Sequence, residues 1–355
     1  MSWQGLMGHD EIAARFRRAL AGGRLASTFL FVGPAGIGKR SFALKLAQSV
    51  LCERVPETDL APCGQCPACL QVLAGTHPDV EVVAKPADRA FIPLEALIGD
   101  DEHRMREGMC YNIALKPYSG KRKIAILDDA DYLNKEGANC LLKTLEEPPL
   151  GSLIILIGTS EQRQLPTIRS RCQVVRFRPL AANEVAQLLL SQGHVANATE
   201  AERAAALAQG SLEAALHWLE PEFSEFRSAF LDYLSAAEAK PADFVKSLSA
   251  FVEAGGKEAA AKRARLKEAA GVAEQFYAQL VATIAGQPSA ADPELTQAAQ
   301  RAARWFPANT ESAARCRELC LEAVQHVEAN ANQANVIEWW LDELFLAGSG
   351  LGTSR

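Results

Sequence analysis

A parallel α/β sheet flanked by helices, followed by a small helical domain and a larger all-α domain, is the fold class this sequence predicts. Three observations predict it. Short apolar runs, "STFLFVG" (27–33), "KIAILDDAD" (123–131) and "SLIILIGTS" (152–160), alternate with segments of helical period in the first half of the chain. Their apolar character implies strands buried on both faces, the mark of a parallel sheet. After "VVRFRPL" (174–180) the composition turns to Ala, Leu, Glu and Gln with almost no strand signal.

The elements follow in order. "STFLFVG" ends in glycine and runs into "GKRSFALKLAQSVLC" (38–52), where Phe42, Leu44, Leu46, Ala47, Val50 and Leu51 recur at helical spacing. That is strand, loop, helix. The second strand closes on Asp128 and Asp129 and the third on Thr159 and Ser160. An open parallel sheet binds its ligand beyond the carboxyl ends of its strands, so all these polar ends are expected at one edge. The expected domains are 1–178 for the sheet, 179–220 for a small helical unit closing at "GSLEAALHWL" (210–219), and 221–347 for a helical bundle. The last residues, 348–355, are flexible by composition. There is no internal repeat.

Composition bounds the function. With 355 residues, 48% of them hydrophobic, the chain can bury large cores. No run approaches the roughly 18–20 apolar residues of a membrane span, and "MSWQGLMGHDEIAARF" lacks a basic region followed by an apolar signal core, so the expected location is the cytoplasm, without a membrane partner. A formal net charge of -6 argues against coating nucleic acid by overall charge. The nine cysteines of a cytosolic chain stay reduced, and a tight cluster of them points to metal rather than disulfides.

The loop "FVGPAGIGKRSFA" (31–43) matches the phosphate-loop pattern G-x-x-x-x-G-K-[ST] at Gly33, Gly38 and Lys39 and departs from it at Arg40. Gly33, Gly36 and Gly38 let backbone amides point at phosphates, and Lys39 supplies charge for the outer ones. Arg40 stands where a hydroxyl should bind magnesium. Ser41, one residue later, faces about 100° away around the helix. Asp128 is the candidate magnesium acid. The next residue, which in hydrolysing sites is a glutamate that polarises water, is the shorter Asp129. Candidate nucleotide contacts are therefore Gly33, Gly36, Gly38, Lys39, Arg40, Ser41, Asp128 and Asp129, with ATP and Mg2+ left open as ligands.

Cys52, Cys63, Cys66 and Cys69 follow C-x10-C-x2-C-x2-C. Thiolates three residues apart in a Gly/Pro turn can meet one tetrahedral ion, with the fourth supplied by the preceding helix end. Four sulfurs close the shell, so the zinc is expected to be structural; an iron–sulfur cluster or redox thiols are the alternatives. His77 is expected in a surface position or turn. Cys110, Cys140, Cys172, Cys316 and Cys320 are expected as small buried apolar residues. Arg169, Arg171, Arg176 and Arg178 form a basic cluster, which composition alone reads as a solvated face.

"GPAGIGK", the four-cysteine insertion, "ILDDADYL", "LLKTLEEPP" and "IRSRC", in this order, resemble the bacterial clamp-loader subunits of the AAA+ class over about residues 5–178. The resemblance implies an AAA+ P-loop domain, a helical lid and a C-terminal oligomerising collar. It implies a hetero-pentamer with gamma/tau and delta subunits that places a sliding clamp on primer-template DNA within the DNA polymerase III nucleotidyltransferase holoenzyme. It also implies roles for two residues: Thr159 as a sensor beside the γ-phosphate, and Arg171 of "SRC" as a finger reaching a neighbour's ATP. Family motors carry G-x-x-G-x-G-K-[ST], a D-E pair and a sensing arginine in the lid, where this chain has Arg40, Asp129 and Glu213. Those departures resemble a stator with weak or no ATP turnover. An ATP-hydrolysing gamma/tau-type motor is the alternative, and a zinc ribbon that contacts nucleic acid directly is a third.

Overall fold

The computed structural model describes residues 3–86, 88–118, 121–237, 240–256, 258–287, 292–307, 310–329 and 331–348. The chain divides into two compact units, Met1–Ala215 and Leu216–Arg355. The segment expected to be flexible, 348–355, lies outside the described residues from 349 onward.

The first unit is built on five parallel strands: β1 (Thr28–Val32), β2 (Val80–Val83), β3 (Lys123–Leu127), β4 (Ser152–Gly158) and β5 (Gln173–Arg176), in the order β2-β3-β4-β1-β5. β1 and β4 are buried throughout and β3 almost so, as their unbroken apolar sequences require. The two edge strands are shorter and half exposed, which is why "VEVV" and "QVVR" carry a weaker signal.

Alternation along β1 feeds two cores. Phe29 and Phe31 point to one face, where they meet Phe16, Phe42 and Phe177; Leu30 and Val32 point to the other, against Leu97, Leu141 and Leu145. Phe42 is fully buried, with ring centroids 5.9 Å from Phe31, 5.3 Å from Phe177 and 4.6 Å from Trp3. This cluster fixes the helix Lys39–Leu51 against the sheet. Truncating a buried phenylalanine of this kind costs about 3–5 kcal/mol. The helices Ala182–Ser191 and Ala198–Leu207 complete the unit as a packed pair.

The second unit holds six helices among its described residues, from Pro221–Ser235 to Gln333–Gly348. Its core gathers Phe223, Phe226, Phe230, Phe251, Phe276 and Trp340. Arg227, 3% exposed, is paired with Asp292 and Glu294, and its guanidinium lies 4.8 Å from the Trp218 ring. Asp292 also caps the helix Pro293–Ala302, accepting the amides of Glu294 at 3.1 Å and Leu295 at 3.2 Å. No described helix in the chain is long and apolar enough to cross a membrane.

Candidate functional site

The turn from β1 into the helix Lys39–Leu51 needs glycine at two places. Gly38 caps the helix at φ 93°, in the left-handed region. Gly36, at φ 70°, lies so close to the start of the helix Leu212–Trp218 that a Cβ would come within 2.2 Å of Ser211 Oγ and 2.5 Å of Glu213 Cβ. The Leu212 amide donates to the Gly36 carbonyl at 3.0 Å. The loop is thus pinned from outside by the small helical pair's exit segment.

Lys39 turns inward. Its buried Nζ donates to the carbonyls of Gly33 at 2.6 Å and Pro34 at 2.5 Å. Burial lowers its pKa, and the carboxylates of Asp128, Asp131, Glu213 and Asp129 oppose that shift. Arg40 lies on the neighbouring carboxylate, with Nη1 3.5 Å from Asp128 Oδ2. A guanidinium therefore stands between loop and acid, in the region where a hydroxyl, a divalent ion and a carboxylate would bridge. Burial and then Asp129 raise the pKa of Asp128, while Arg40 and Lys39 hold it down. Ser41 is exposed, and Asp129 sits in a left-handed backbone conformation at φ 56°.

Lys39, Asp128 and Thr159 all belong to the carboxyl edge of adjacent strands β1, β3 and β4, as the sheet order demands. Thr159 is not a free hydroxyl: Oγ1 donates to Asp131 Oδ2 at 2.6 Å and its amide to the same oxygen at 2.7 Å. Gln164, buried, donates to the other Asp131 oxygen. Sequence reading passed over Asp131, although its place as the third acid of "DDAD" was a signal. It also missed His9, 2% exposed, whose Nε2–H donates to the Ile37 carbonyl at 2.7 Å and supports the loop from below.

Arg171 lies at the opposite edge of the sheet. It precedes β5, and its carbonyl accepts from Thr28 Oγ1 at 2.8 Å at the start of β1. Its side chain is paired with Glu146, the last residue of the helix Lys135–Glu146, another group that sequence reading left without a role. Arg176 is paired with Glu161, so this basic cluster is partly neutralised within the chain. In the helix Lys135–Glu146, Leu141 and Leu145 are buried and Leu142 half-buried, while Lys143 is exposed.

The four cysteine sulfurs lie within 4.8 Å of one another. A tetrahedral ion with metal–sulfur bonds of about 2.3 Å holds its sulfurs about 3.8 Å apart, so a small contraction seats a metal. Cys52 ends one helix and Cys66 caps the next, Pro67–Ala74. Backbone amides already serve the thiolates: Cys63 N to Cys52 Sγ at 3.5 Å, Cys66 N to Cys63 Sγ at 3.3 Å, Cys69 N to Cys66 Sγ at 3.4 Å. Burial raises the Cys52 pKa, but the amides of Cys63, Arg54 and Val55 outweigh it and bring the thiol to about 6. Burial drives the Cys69 thiol upward, and the Cys66 and Cys52 thiols beside it push the same way. A dication bound to all four would remove that opposition.

His77 occupies the expected turn but not the surface: it is 5% exposed, and Nδ1 accepts the Asp79 amide at 3.0 Å. Cys110, Cys316 and Cys320 are buried as expected. Cys140 and Cys172 are only half-buried, because each lies at the outer rim of the core that faces the helix Lys135–Glu146.

Residues 8–181 match the family model described as "DNA polymerase III, delta subunit". DNA polymerase III subunit delta' of Pseudomonas aeruginosa is 40% identical over 153 residues, 42% of this chain and 43% of that protein. Subunit delta' of Bacillus subtilis is 34% identical over 169 residues, 48% of this chain and 47% of that protein. DNA polymerase III subunit gamma/tau of Mycobacterium tuberculosis H37Rv is 33% identical over 190 residues, 53% of this chain and 30% of that protein. The chain thus spans less than half the length of the curated relatives it matches.

Proposed function

Because residues 8–181 match the family model described as "DNA polymerase III, delta subunit", we propose that the protein belongs to that family and acts as a delta'-type stator of a bacterial clamp loader. It joins gamma/tau and delta subunits in a hetero-pentamer that opens the sliding clamp and places it on primer-template DNA in the cytoplasm. The proposed parts are an AAA+ domain over 1–178 with its cysteine module at 52–69, a lid over 179–220 and an oligomerising collar over 221–347.

One observation carries the stator reading: the Arg40 guanidinium lies on Asp128 at 3.5 Å. A fixed cation there compensates the acid without the exchangeable ligand positions through which Mg2+ bridges β- and γ-phosphates. Asp129 in place of glutamate, and Glu213 against the loop, act in the same sense. The role proposed for Gly33, Gly36, Gly38 and Lys39 is that of a retained turn rather than a working nucleotide site. Cys52, Cys63, Cys66 and Cys69 would hold structural Zn2+, which when bound ties the end of one helix to the start of the next.

Arg171 is the residue proposed to act in catalysis, in a neighbour's site. A guanidinium meeting the charge that develops on a transferring phosphoryl group is worth about 10³–10⁵ in rate. Complexes rebuilt with Arg171→Ala are expected to assemble normally and lose most DNA-stimulated ATP turnover. Full turnover would remove the trans role. The second reading, an ATP-hydrolysing motor, is favoured by the intact Lys39; Mg2+-dependent hydrolysis by the purified chain, abolished by Lys39→Ala, would establish it instead.

A further inference from the structure

Every nitrogen of the Arg171 guanidinium is occupied within its own chain. Nε donates to Glu146 Oε1 at 2.7 Å and Nη2 to the same oxygen, while Nη1 donates to the Thr167 carbonyl at 2.8 Å and the Ser170 hydroxyl at 3.3 Å. Those bonds use four of its five N–H donors, so one Nη2–H remains and no pair of donors is left for a two-point grip on an incoming phosphate. To hold one through two parallel donors it must release at least one partner, and the carboxylate is the partner most like a phosphate in charge and acceptor geometry.

Glu146 is poorly placed for any purpose of its own helix. It ends Lys135–Glu146 at the negative pole of the peptide dipoles, where a cation is preferred and an acid is unfavourable. Pro148 and Pro149 then stop the chain from continuing as helix. Arg171 offsets that unfavourable charge. Both side chains reach solvent, at 28% and 49% exposure, so the pair is accessible from outside the chain and open to exchange.

We propose that Glu146 is a parking acceptor for Arg171: it holds the guanidinium in a self-satisfied position and yields it when a neighbouring subunit presents nucleotide phosphate. This inference rests on the reading of Arg171 as a residue that acts in trans. Glu146 touches no nucleotide in this scheme. It is a positioning residue that acts through Arg171 and sets how readily the finger leaves its own chain. The strength of an exposed ion pair limits the effect to about 1.5- to fivefold.

The test uses complexes of the full chain with the ATP-hydrolysing clamp-loader subunits of its own organism, and measures kcat and KM for ATP with and without primed DNA. Glu146→Gln keeps the size of the side chain and removes its charge. The expected result is a rise in kcat/KM of about 1.5- to fivefold, with unchanged assembly and melting temperature, and loss of that rise in the Glu146→Gln/Arg171→Ala double variant. If Arg171→Ala lowers turnover but Glu146→Gln leaves kcat/KM unchanged or lowers it, parking is overturned and the trans role stands. A lowered melting temperature without a rise in kcat/KM would make Glu146 a structural contact and overturn parking too. If Arg171→Ala itself leaves turnover intact, the trans role has failed, and parking falls with it.

Discussion

Replacing Arg40 with threonine should convert the loop into a magnesium-dependent nucleotide site. The arginine is 57% exposed and paired with Asp128 at 3.5 Å, so its removal costs the fold only about 0.2–1 kcal/mol. What the substitution supplies is a hydroxyl at the start of the helix and an unblocked Asp128. A ligand present at 100 times its dissociation constant stabilises the folded state by about 2.7 kcal/mol. For a folding unit of about 150–250 residues, each kcal/mol raises the melting temperature by about 2–4 °C. The Arg40→Thr unit is therefore expected to melt about 5–10 °C higher with a saturating non-hydrolysable ATP analogue and Mg2+ than with the analogue and a chelator. The native chain should show no magnesium-dependent difference. Scanning calorimetry of both proteins over a titration of the analogue provides the measurement. An equal magnesium-dependent rise in the native chain, or none in Arg40→Thr, would refute the argument that the guanidinium occupies the metal's place.

Three further outcomes can be measured. Metal analysis of reduced protein should give about one zinc per chain, and Cys66→Ser should bring it near zero and open residues 52–74 to protease without dissolving the second unit. Asp292→Ala should destabilise the second unit by about 3–5 kcal/mol, seen as a shift of its denaturant midpoint, because the change removes both a helix cap and a partner of the buried Arg227. His217 lies 3.2 Å from Glu268 and 3.3 Å from Glu220, and these carboxylates, Glu268 first, raise its pKa above the ordinary 6.5. A raised folded-state pKa contributes stability that is complete below the unfolded value and disappears as pH rises through the folded one. The second unit should therefore lose a small increment of stability on going from acidic to mildly alkaline pH, and His217→Gln should flatten that part of the profile.

The three central strands were legible because each is a run of buried apolar residues, and the sheet's polar edge followed from parallel topology alone. The edge strands were not, since four half-exposed residues give neither unbroken apolarity nor clean alternation. The cysteine module was equally plain, as the spacing of metal ligands is written in the chain. Asp131 and Glu146 were hidden for a different reason. An acid among other acids carries no sign of its partner, and both partners, Thr159 and Arg171, lie more than twenty residues further along the chain. His9 was hidden by its isolation, 28 residues from the carbonyl it supports. The pairing of Arg40 with Asp128 could be read only as a missing hydroxyl; that the arginine fills the gap is a property of the folded loop.

Strand β1 separates two chemistries by its own length. Lys39 follows its carboxyl end, while Thr28 at its amino end grips the Arg171 carbonyl, and five extended residues put about 16 Å between them. A single chain consequently carries its basic cluster and its glycine-rich turn at opposite ends of this strand. The two features are held apart by one strand whose every residue is packed inside the sheet.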